Sequence, residues 1–186
     1  MEENNEKTSL RKLLLGRRDN LSADFMKIAS KQIQKNLKRI ESYREAQTIA
    51  CYYSIGSEVR TQDIMQEIIS DGKTLALPKI DNDMLVFYNV KKFDDLEEGE
   101  FGIMEPKQNC SVVTKFDILL VPAIAMTSKG QRLGYGKGFY DRFLAGKDLT
   151  TVALTYSRLI VKHIPKSNND IQINWVVTED EVIKTS

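Results

Sequence analysis

The stretch Phe116-Asp117-Ile118-Leu119-Leu120-Val121-Pro122 carries the clearest strand signal in the chain. Its apolar run from Ile118 onward is typical of a strand that is buried on both faces of a parallel sheet. Shorter runs rich in strand-forming residues occur at 48–54, 74–77 and 151–155. Because helical segments alternate with these strands, we predict an α/β fold: a three-layer α/β/α sandwich with a largely parallel, Rossmann-like sheet.

Two amphipathic helices are predicted ahead of the first strand. Apolar residues recur at helical spacing over residues 10–21 and again over 25–40. Ser22 is placed to cap the second helix, and Asp24 lies in its first turn. Lysine and arginine are concentrated in this region, but they are spread around the helical faces without aromatic residues at stacking intervals. We therefore interpret most of them as solvated helix surface, with a few in reach of an anionic ligand, and expect no nucleic-acid partner.

Cap and turn residues predict where the later elements begin and end. Thr61 is placed to cap a further helix, which Gly72 ends with a left-handed turn. Pro78 is expected to stop the strand that precedes it. A short helix is predicted over 139–144, and a strand at 175–178 is expected to close the sheet.

The composition is that of an ordinary globular domain. The chain has 186 residues, of which 41% are hydrophobic and 28% are charged, with a net charge of +1. We expect one domain over 1–186. No apolar stretch approaches the roughly 20 residues that span a bilayer, and the first residues are polar and acidic, unlike a signal peptide. We expect a cytoplasmic monomer with no membrane partner. Cys51, Cys110 and the single His163 lack the spacing of a zinc site.

The segment from Arg132 to Asp141, Arg-Leu-Gly-Tyr-Gly-Lys-Gly-Phe-Tyr-Asp, is the candidate functional site. Its three glycines stand at every second position, which predicts close approach of a ligand to backbone N–H groups or a need for positive φ. Arg132 and Lys137 indicate that the ligand is an anion, and phosphate fits best. The spacing matches neither a Walker A loop nor a dinucleotide-binding fingerprint.

The predicted topology also places this segment. Ligands of open α/β sheets bind at the carboxyl ends of the strands. We therefore expect the loops at 54–58, 78–80 and 122–141, and the chain from Tyr156 onward, to converge on one cleft. A mostly antiparallel sheet would not bring these loops together.

On these motifs, the chain resembles the 5-formyltetrahydrofolate cyclo-ligases, also called methenyltetrahydrofolate synthetases, over nearly its whole length. The most specific match is Gly130-x-Arg132-Leu133-Gly134-Tyr135-Gly136-x-Gly138-Phe139-Tyr140-Asp141 after Val121-Pro122-Ala123. Weaker motifs agree with it in order and spacing: Lys7-x-x-Leu10-Arg11, Ser57-Glu58-Val59-x-Thr61, Gly102-Ile103-x-Glu105-Pro106, and Asn169-Asp170 ahead of Val176-Val177-Thr178-Glu179.

The resemblance implies an ATP-dependent conversion of 5-formyltetrahydrofolate to 5,10-methenyltetrahydrofolate, with release of ADP and phosphate. The formyl oxygen would be phosphorylated, and N10 would then attack the activated carbon. Such chemistry needs positioning and charge neutralisation, so Mg²⁺ is implied as the cofactor and ATP as the co-substrate. Two alternatives stay open: a sugar-phosphate isomerase-like enzyme, and a non-catalytic nucleotide- or folate-binding protein on the same fold.

The resemblance also implies roles for individual residues. The implied catalytic residues are Arg132, Lys137 and Asp141. The implied ATP contacts are Lys7, Thr8, Ser9, Leu10, Arg11, Arg132, Leu133, Gly134, Tyr135, Gly136, Lys137, Gly138, Phe139 and Tyr140. The implied folate contacts are Tyr53, Glu58, Tyr135, Gly136, Lys137, Gly138 and Phe139. The implied magnesium ligands are Asp141 and Asp170.

Two positions depart from the usual family pattern. Leu159 stands where glutamine is common, and Asn169 stands where histidine often precedes the acid. Neither position takes part in the phosphoryl chemistry, so the departures bear on substrate contacts and on pH behaviour near Asp170. Glu105 is expected near the site without an assigned role, and His163 is expected on the surface.

Overall fold

The computed structural model describes residues 2–99 and 102–185, with the backbone alone for residues 2–4. The helices are α1 (Glu2–Asp19), α2 (Ala23–Leu37), α3 (Glu41–Glu45), α4 (Gln62–Ser70) and α5 (Phe139–Leu144). The strands are β1 (Thr48–Ala50), β2 (Thr74–Asp81), β3 (Met84–Asn89), β4 (Leu96–Glu98), β5 (Met104–Pro106), β6 (Ile118–Pro122), β7 (Ala125–Met126), β8 (Arg132–Leu133), β9 (Thr150–Leu154), β10 (Trp175–Val177) and β11 (Val182–Lys184). In this part of the chain, no helix is both long and apolar enough to cross a bilayer.

Seven strands form the central sheet, in the order β11-β10-β9-β6-β1-β2-β3. The inner strands from β10 to β2 run parallel, and an antiparallel strand pairs with each edge of this group. The chain builds the sheet from β1 outward to β3, then returns to β6 and builds in the other direction. The order therefore reverses between β1 and β6, and a crevice opens at the carboxyl ends of strands at such a switch point. The predicted α/β sandwich with a largely parallel sheet is confirmed.

The apolar run that predicts β6 explains the two layers of core. Every residue of this strand is buried. Ile118 and Leu120 face the core beneath α1, α2 and α4, whereas Leu119 and Val121 face the core beneath α5. Alternate side chains of a strand point to opposite faces, so a strand between two helical layers must be apolar throughout. Each such side chain contributes roughly 1.5–3 kcal/mol when it is fully buried.

Several predicted helix ends are confirmed. The Ser22 hydroxyl accepts a 3.2 Å hydrogen bond from the Phe25 N–H at the start of α2. Gly72 takes a φ of +70° just after α4, as a left-handed helix end requires. Thr61 is the N-cap residue of α4, as predicted, but its side chain forms no capping hydrogen bond. Its hydroxyl donates instead to the Tyr52 carbonyl at 2.7 Å, so it holds the chain that leaves β1.

Two strand predictions were wrong. Pro78 does not stop β2, which continues to Asp81 and turns into β3. Pro78 lies opposite Phe87, whose carbonyl bonds outward to the Val113 N–H at 2.8 Å. The ladder therefore does not need the N–H that proline lacks. The strand at 175–178 does not close the sheet either, because β11 adds an antiparallel edge beyond it.

Candidate active site

A cavity of about 1360 Å³ opens where β1 and β6 end. The chain after β1, the end of β2 and the whole segment 132–141 line it, which confirms the expected convergence of these loops. Tyr156 is not in the lining; residues 167–171 complete the wall from that part of the chain. Pockets for one small molecule measure about 300–1,000 Å³. This cavity therefore has room for two ligands.

The alternating glycines have two different structural reasons. Gly136 and Gly138 take φ values of +97° and +67°, which side-chain-bearing residues rarely adopt. Gly134 has no such φ, but a Cβ there would lie 2.8 Å from Nη1 of Arg132. A Cβ at Gly136 would lie 3.3 Å from Cζ of Arg11. The prediction of positive φ is confirmed at two positions, and the third glycine makes room for an arginine.

Arg132 is a buried cation with an incomplete set of partners. Its side chain is 6% exposed, and Nη2 donates to Oδ2 of Asp141 at 2.7 Å. Nη1 donates to the Pro122 carbonyl at 3.2 Å, and the guanidinium lies over the Tyr140 ring. Nε is buried and has no hydrogen-bond partner within the described chain. A buried donor without a partner costs about 1–3 kcal/mol, so an anion that reached Nε would be stabilised there.

Asp170, the second predicted magnesium ligand, forms a similar pair. Its Oδ2 accepts from Nζ of Lys7 at 2.5 Å, and both its oxygens accept from Ser167. Burial raises the pKa of Asp170, but the hydrogen bonds from Lys7 and Ser167 outweigh it and hold the pKa below its ordinary value. Asp141 accepts a hydrogen bond from the backbone N–H of Ile171, the residue that follows Asp170, at 3.2 Å. The two acids therefore lie on neighbouring segments, each paired with a cation.

Helix α1 presents a line of basic residues to the cavity. Lys7 and Arg11 are one helical turn apart and both line it. Nε of Arg11 donates to the Gly134 carbonyl at 2.8 Å, which joins the helix to the glycine segment. Of the other predicted ATP contacts on α1, Ser9 and Leu10 border a separate shallow depression. Thr8 is exposed outside the lining, and its hydroxyl accepts from Arg11 at 3.5 Å.

Glu58 is the buried acceptor of the cavity. It is 5% exposed, and its carboxylate accepts from the Tyr135 hydroxyl at 2.5 Å and the Ile55 N–H at 2.9 Å. Burial raises the pKa of Glu58, while these two hydrogen bonds and the charge of Arg18 act in the opposite direction. The group is therefore an acid whose protonation is sensitive to its neighbours.

The other predicted folate contacts also reach the cavity. Tyr53 and Phe139 are half-buried in its lining. Lys137 is exposed beside them, and its ammonium group forms no ion pair with any described residue. The remaining members of the glycine segment, Leu133 and Tyr140 among them, line the cavity as well.

Of the two positions that depart from the family pattern, one lies in the core and the other lines the cavity. Leu159 is buried in a 3₁₀ turn, Ser157–Leu159, and belongs to the core. Asn169 lines the cavity, as does Glu105, whose carboxylate lies 3.6 Å from Nζ of Lys79. His163 is exposed, as expected.

Sequence reasoning missed Arg18. It is 4% exposed and donates to the Ser57 hydroxyl at 2.9 Å, the Ala123 carbonyl at 3.4 Å and the Tyr135 hydroxyl at 2.8 Å. In the sequence it looks like an ordinary basic residue in the last turn of a helix. Its position seven residues after Arg11 is the one signal that could have found it, because two helical turns return a side chain to the same face.

The carboxylates in the cavity suit Mg²⁺ only if substrate phosphates supply further ligands. Residues 5–99 and 102–185 contain no cluster of three or more His, Cys, Asp or Glu side chains able to hold a metal. Asp141 and Asp170 supply two carboxylates from adjoining segments. Mg²⁺ is commonly bound by one or two carboxylates together with substrate phosphates and water. These two residues fit that pattern.

An open, largely parallel sheet with a cation-lined cavity at its switch point defines a class of α/β protein that binds anionic small molecules at the strand ends. Comparison with known proteins narrows this class. The sequence profile of the 5-formyltetrahydrofolate cyclo-ligase family matches residues 3–179, and the chain belongs to this family.

Relatives and solved structures agree with this membership. The 5-formyltetrahydrofolate cyclo-ligase of Haemophilus influenzae is 31% identical over 176 residues, which covers 90% of this chain and 92% of that protein. The Escherichia coli K12 enzyme of the same name is 32% identical over 146 residues, which covers 74% of this chain and 80% of that protein. The structure of Aquifex aeolicus 5,10-methenyltetrahydrofolate synthetase matches with a TM-score of 0.88 at 33% identity. The match covers 96% of this chain and 92% of that one. A synthetase from Mycoplasma pneumoniae, at 22% identity and a TM-score of 0.75, shares the fold.

Proposed function

We propose that this protein converts 5-formyltetrahydrofolate and ATP to 5,10-methenyltetrahydrofolate, ADP and phosphate, with Mg²⁺ as the cofactor. The observation that carries the proposal is that one cavity holds both a set of cations, Lys7, Arg11 and Arg132, and a buried acceptor, Glu58. Family membership supports this reaction over a sugar-phosphate isomerase or a non-catalytic binding protein. The volume of about 1360 Å³ suits two substrates that must meet.

The chemistry requires activation of the formyl group. In 5-formyltetrahydrofolate this group is an amide on N5, and its carbon is a poor electrophile. Attack of the formyl oxygen on the γ-phosphorus breaks the bond to ADP and gives an iminium phosphate. N10 then bonds to the formyl carbon, phosphate departs with the former formyl oxygen, and N10 loses its proton. Catalysis of the first step depends on positioning and charge neutralisation.

The cations of the cavity are the proposed phosphate contacts. Arg132 offers a buried Nε without a partner among the described residues, and Lys137 is exposed and forms no ion pair with any of them. Lys7 and Arg11 extend the same surface from α1. A positively charged surface of this kind stabilises the charge that is spread over the transferring phosphoryl group.

Asp141 and Asp170 are the residues that would hold Mg²⁺, which neutralises phosphate charge when it is bound. Each acid lies beside a cation that is itself a proposed phosphate contact, Arg132 for the first and Lys7 for the second. The carboxylates therefore also orient these two cations.

The folate is proposed to bind against Glu58. A carboxylate accepts hydrogen bonds from the donor-bearing edge of the pterin ring. Tyr53 and Phe139 line the same cavity and offer aromatic surface to the ring system.

The test is an assay of purified protein with ATP, MgCl₂ and 5-formyltetrahydrofolate, following methenyl absorbance and ADP release together. We expect stoichiometric formation of both products, dependent on each of the three components. ADP release without methenyl product, or no product at all, would contradict the proposal. Arg132→Ala should lower kcat/KM for ATP, whereas Arg17→Ala should not, because Arg17 lies on the exposed side of α1.

A further inference from the structure

Arg18 is a buried cation that no assigned role explains. Its guanidinium forms no direct ion pair with any described residue. It is instead held by three neutral oxygens, those of Ser57, Ala123 and Tyr135. A buried charge is costly unless it is paired with an opposite charge and hydrogen-bonded, and Arg18 has only the hydrogen bonds. The group that Arg18 reaches through Tyr135 is Glu58.

The direction of the hydrogen bonds is decided by the chemistry of arginine. A guanidinium can only donate, so the Tyr135 oxygen accepts from Nη2 of Arg18 at 2.8 Å. The Tyr135 O–H is then directed at Oε1 of Glu58, 2.5 Å away. Glu58 is therefore the acceptor at the end of this chain of hydrogen bonds; burial raises its pKa, and the Tyr135 hydrogen bond and the charge of Arg18 act against that rise.

We infer that Arg18 is a positioning residue, which acts through Tyr135 to keep Glu58 ionised and aimed at the folate substrate. The inference rests on the proposed function. The same helix end also holds the loop that carries Glu58, because the Ser57 hydroxyl accepts from Nε of Arg18 and donates to Asp19. The end of α1 thus joins the glycine segment to the Glu58 loop.

Among the described residues, Arg18 is the cation whose charge lowers the pKa of Glu58. The other titratable groups that face Glu58 are Tyr52, Tyr135 and Tyr140, from the chain after β1, the glycine segment and α5. Burial raises the pKa of all three phenols, so they are neutral at physiological pH. Burial also raises the pKa of Glu58, and the charge of Arg18 acts against this. Removal of Arg18 should therefore raise the pKa of Glu58 further.

The first test compares Arg18→Met with Arg17→Met, its exposed neighbour on the same helix. Hydrogen bonds that involve a charged group are worth roughly tenfold or more in binding. We expect Arg18→Met to raise KM for 5-formyltetrahydrofolate by about that factor while KM for ATP stays within about twofold. The acid limb of kcat/KM for the folate should move to higher pH. Arg17→Met should leave both unchanged. An equal rise of both KM values, or an unmoved acid limb, would overturn the inference.

The second test uses Tyr135→Phe, which breaks the relay while Arg18 keeps its bonds to Ser57 and Ala123. It should reproduce the folate effect and the shifted acid limb. Adding Arg18→Met to it should cost at most about twofold more, since both changes interrupt one chain. Effects that multiply would mean that Arg18 does not act through Tyr135. Should Arg18→Met not fold, Arg18→Gln replaces it, because this variant also lacks the charge; an unmoved acid limb in Arg18→Gln would overturn the inference.

Equilibrium binding of 5-formyltetrahydrofolate without ATP, measured by calorimetry across pH, separates this inference from the reaction. Wild-type protein that binds the folate but makes no methenyl product would contradict the proposed function. Weaker, more acid-sensitive binding by Arg18→Met would still support the positioning role. Identical binding by wild type, Arg18→Met and Tyr135→Phe would refute it. Wild-type protein that does not bind the folate would refute both.

Discussion

Replacing Gly134 with alanine tests whether the glycine spacing exists to accommodate arginine side chains. A Cβ on Gly134 would lie 2.8 Å from Nη1 and 3.3 Å from Cζ of Arg132. The φ of Gly134 lies outside the left-handed region, so alanine adds no strain of that kind. The effect of Gly134→Ala should therefore come from displacement of the Arg132 guanidinium.

The magnitude follows from what holds that guanidinium. Its side chain is 6% exposed and cannot move freely into solvent. Nη1 is 3.2 Å from the Pro122 carbonyl, so a shift of roughly half an ångström ends this hydrogen bond. Loss of a hydrogen bond from a charged donor costs about 1.5–3 kcal/mol, or about 3–12 °C in Tm for a chain of this size. If the same group contacts the transferring phosphoryl, kcat/KM for ATP falls about 10- to 150-fold.

The assay measures Tm by calorimetry and kcat/KM for ATP on two matched variants. Gly72→Ala is the control for backbone strain. Gly72 has a φ of +70°, a Cβ added there would meet no other side chain or segment within 4 Å, and the residue lies outside the cavity lining. This variant should lose about 1–2 kcal/mol of stability with no change in kcat/KM. Gly134→Ala should lose activity out of proportion to its stability. Wild-type Tm and kcat/KM for Gly134→Ala would refute the explanation of this glycine.

Three further predictions concern charged residues of the cavity. Asp141→Asn weakens the hydrogen bond of the buried Arg132, so we expect a loss of about 1–3 kcal/mol by denaturant unfolding together with loss of Mg²⁺-dependent turnover. Wild-type turnover would remove Asp141 from the reaction. Lys7→Met should raise KM for ATP about tenfold, while Lys12→Met, on the exposed side of the same helix, should not; equal effects would point to general charge alone. Glu58→Gln should abolish folate binding, because the carboxylate is the proposed acceptor for the pterin ring. It should also raise Tm at neutral pH, because the pKa of Glu58 is raised in the folded state and the stability of the wild type therefore falls as the pH increases above the ordinary pKa of 4.5. That Tm advantage should vanish below about pH 4.5, and a Gln variant less stable than wild type at pH 7 would contradict the prediction.

Where the signal is local, sequence and structure agree closely. The apolar run 118–122 became a fully buried strand, and Ser22 caps its helix, because burial on two faces and capping depend on neighbouring residues. The departures from prediction at Pro78 and at the Thr61 side chain have one cause. Each residue's role is set by a partner strand or chain segment that periodicity along the sequence does not encode.

The sequence by itself determined that the chain is an α/β protein and which family it resembles, and it predicted residues 132–141 as a site for an anion. Only the tertiary structure decided which side chains complete that site. Arg11 meets Gly134 across 123 positions of the chain, and Arg18 meets Tyr135 across 117. Such pairs form because side chains of α1 reach the segments that follow β1 and β6. Their geometry is set by the packing of distant elements, whereas sequence patterns report on the conformation of each element alone.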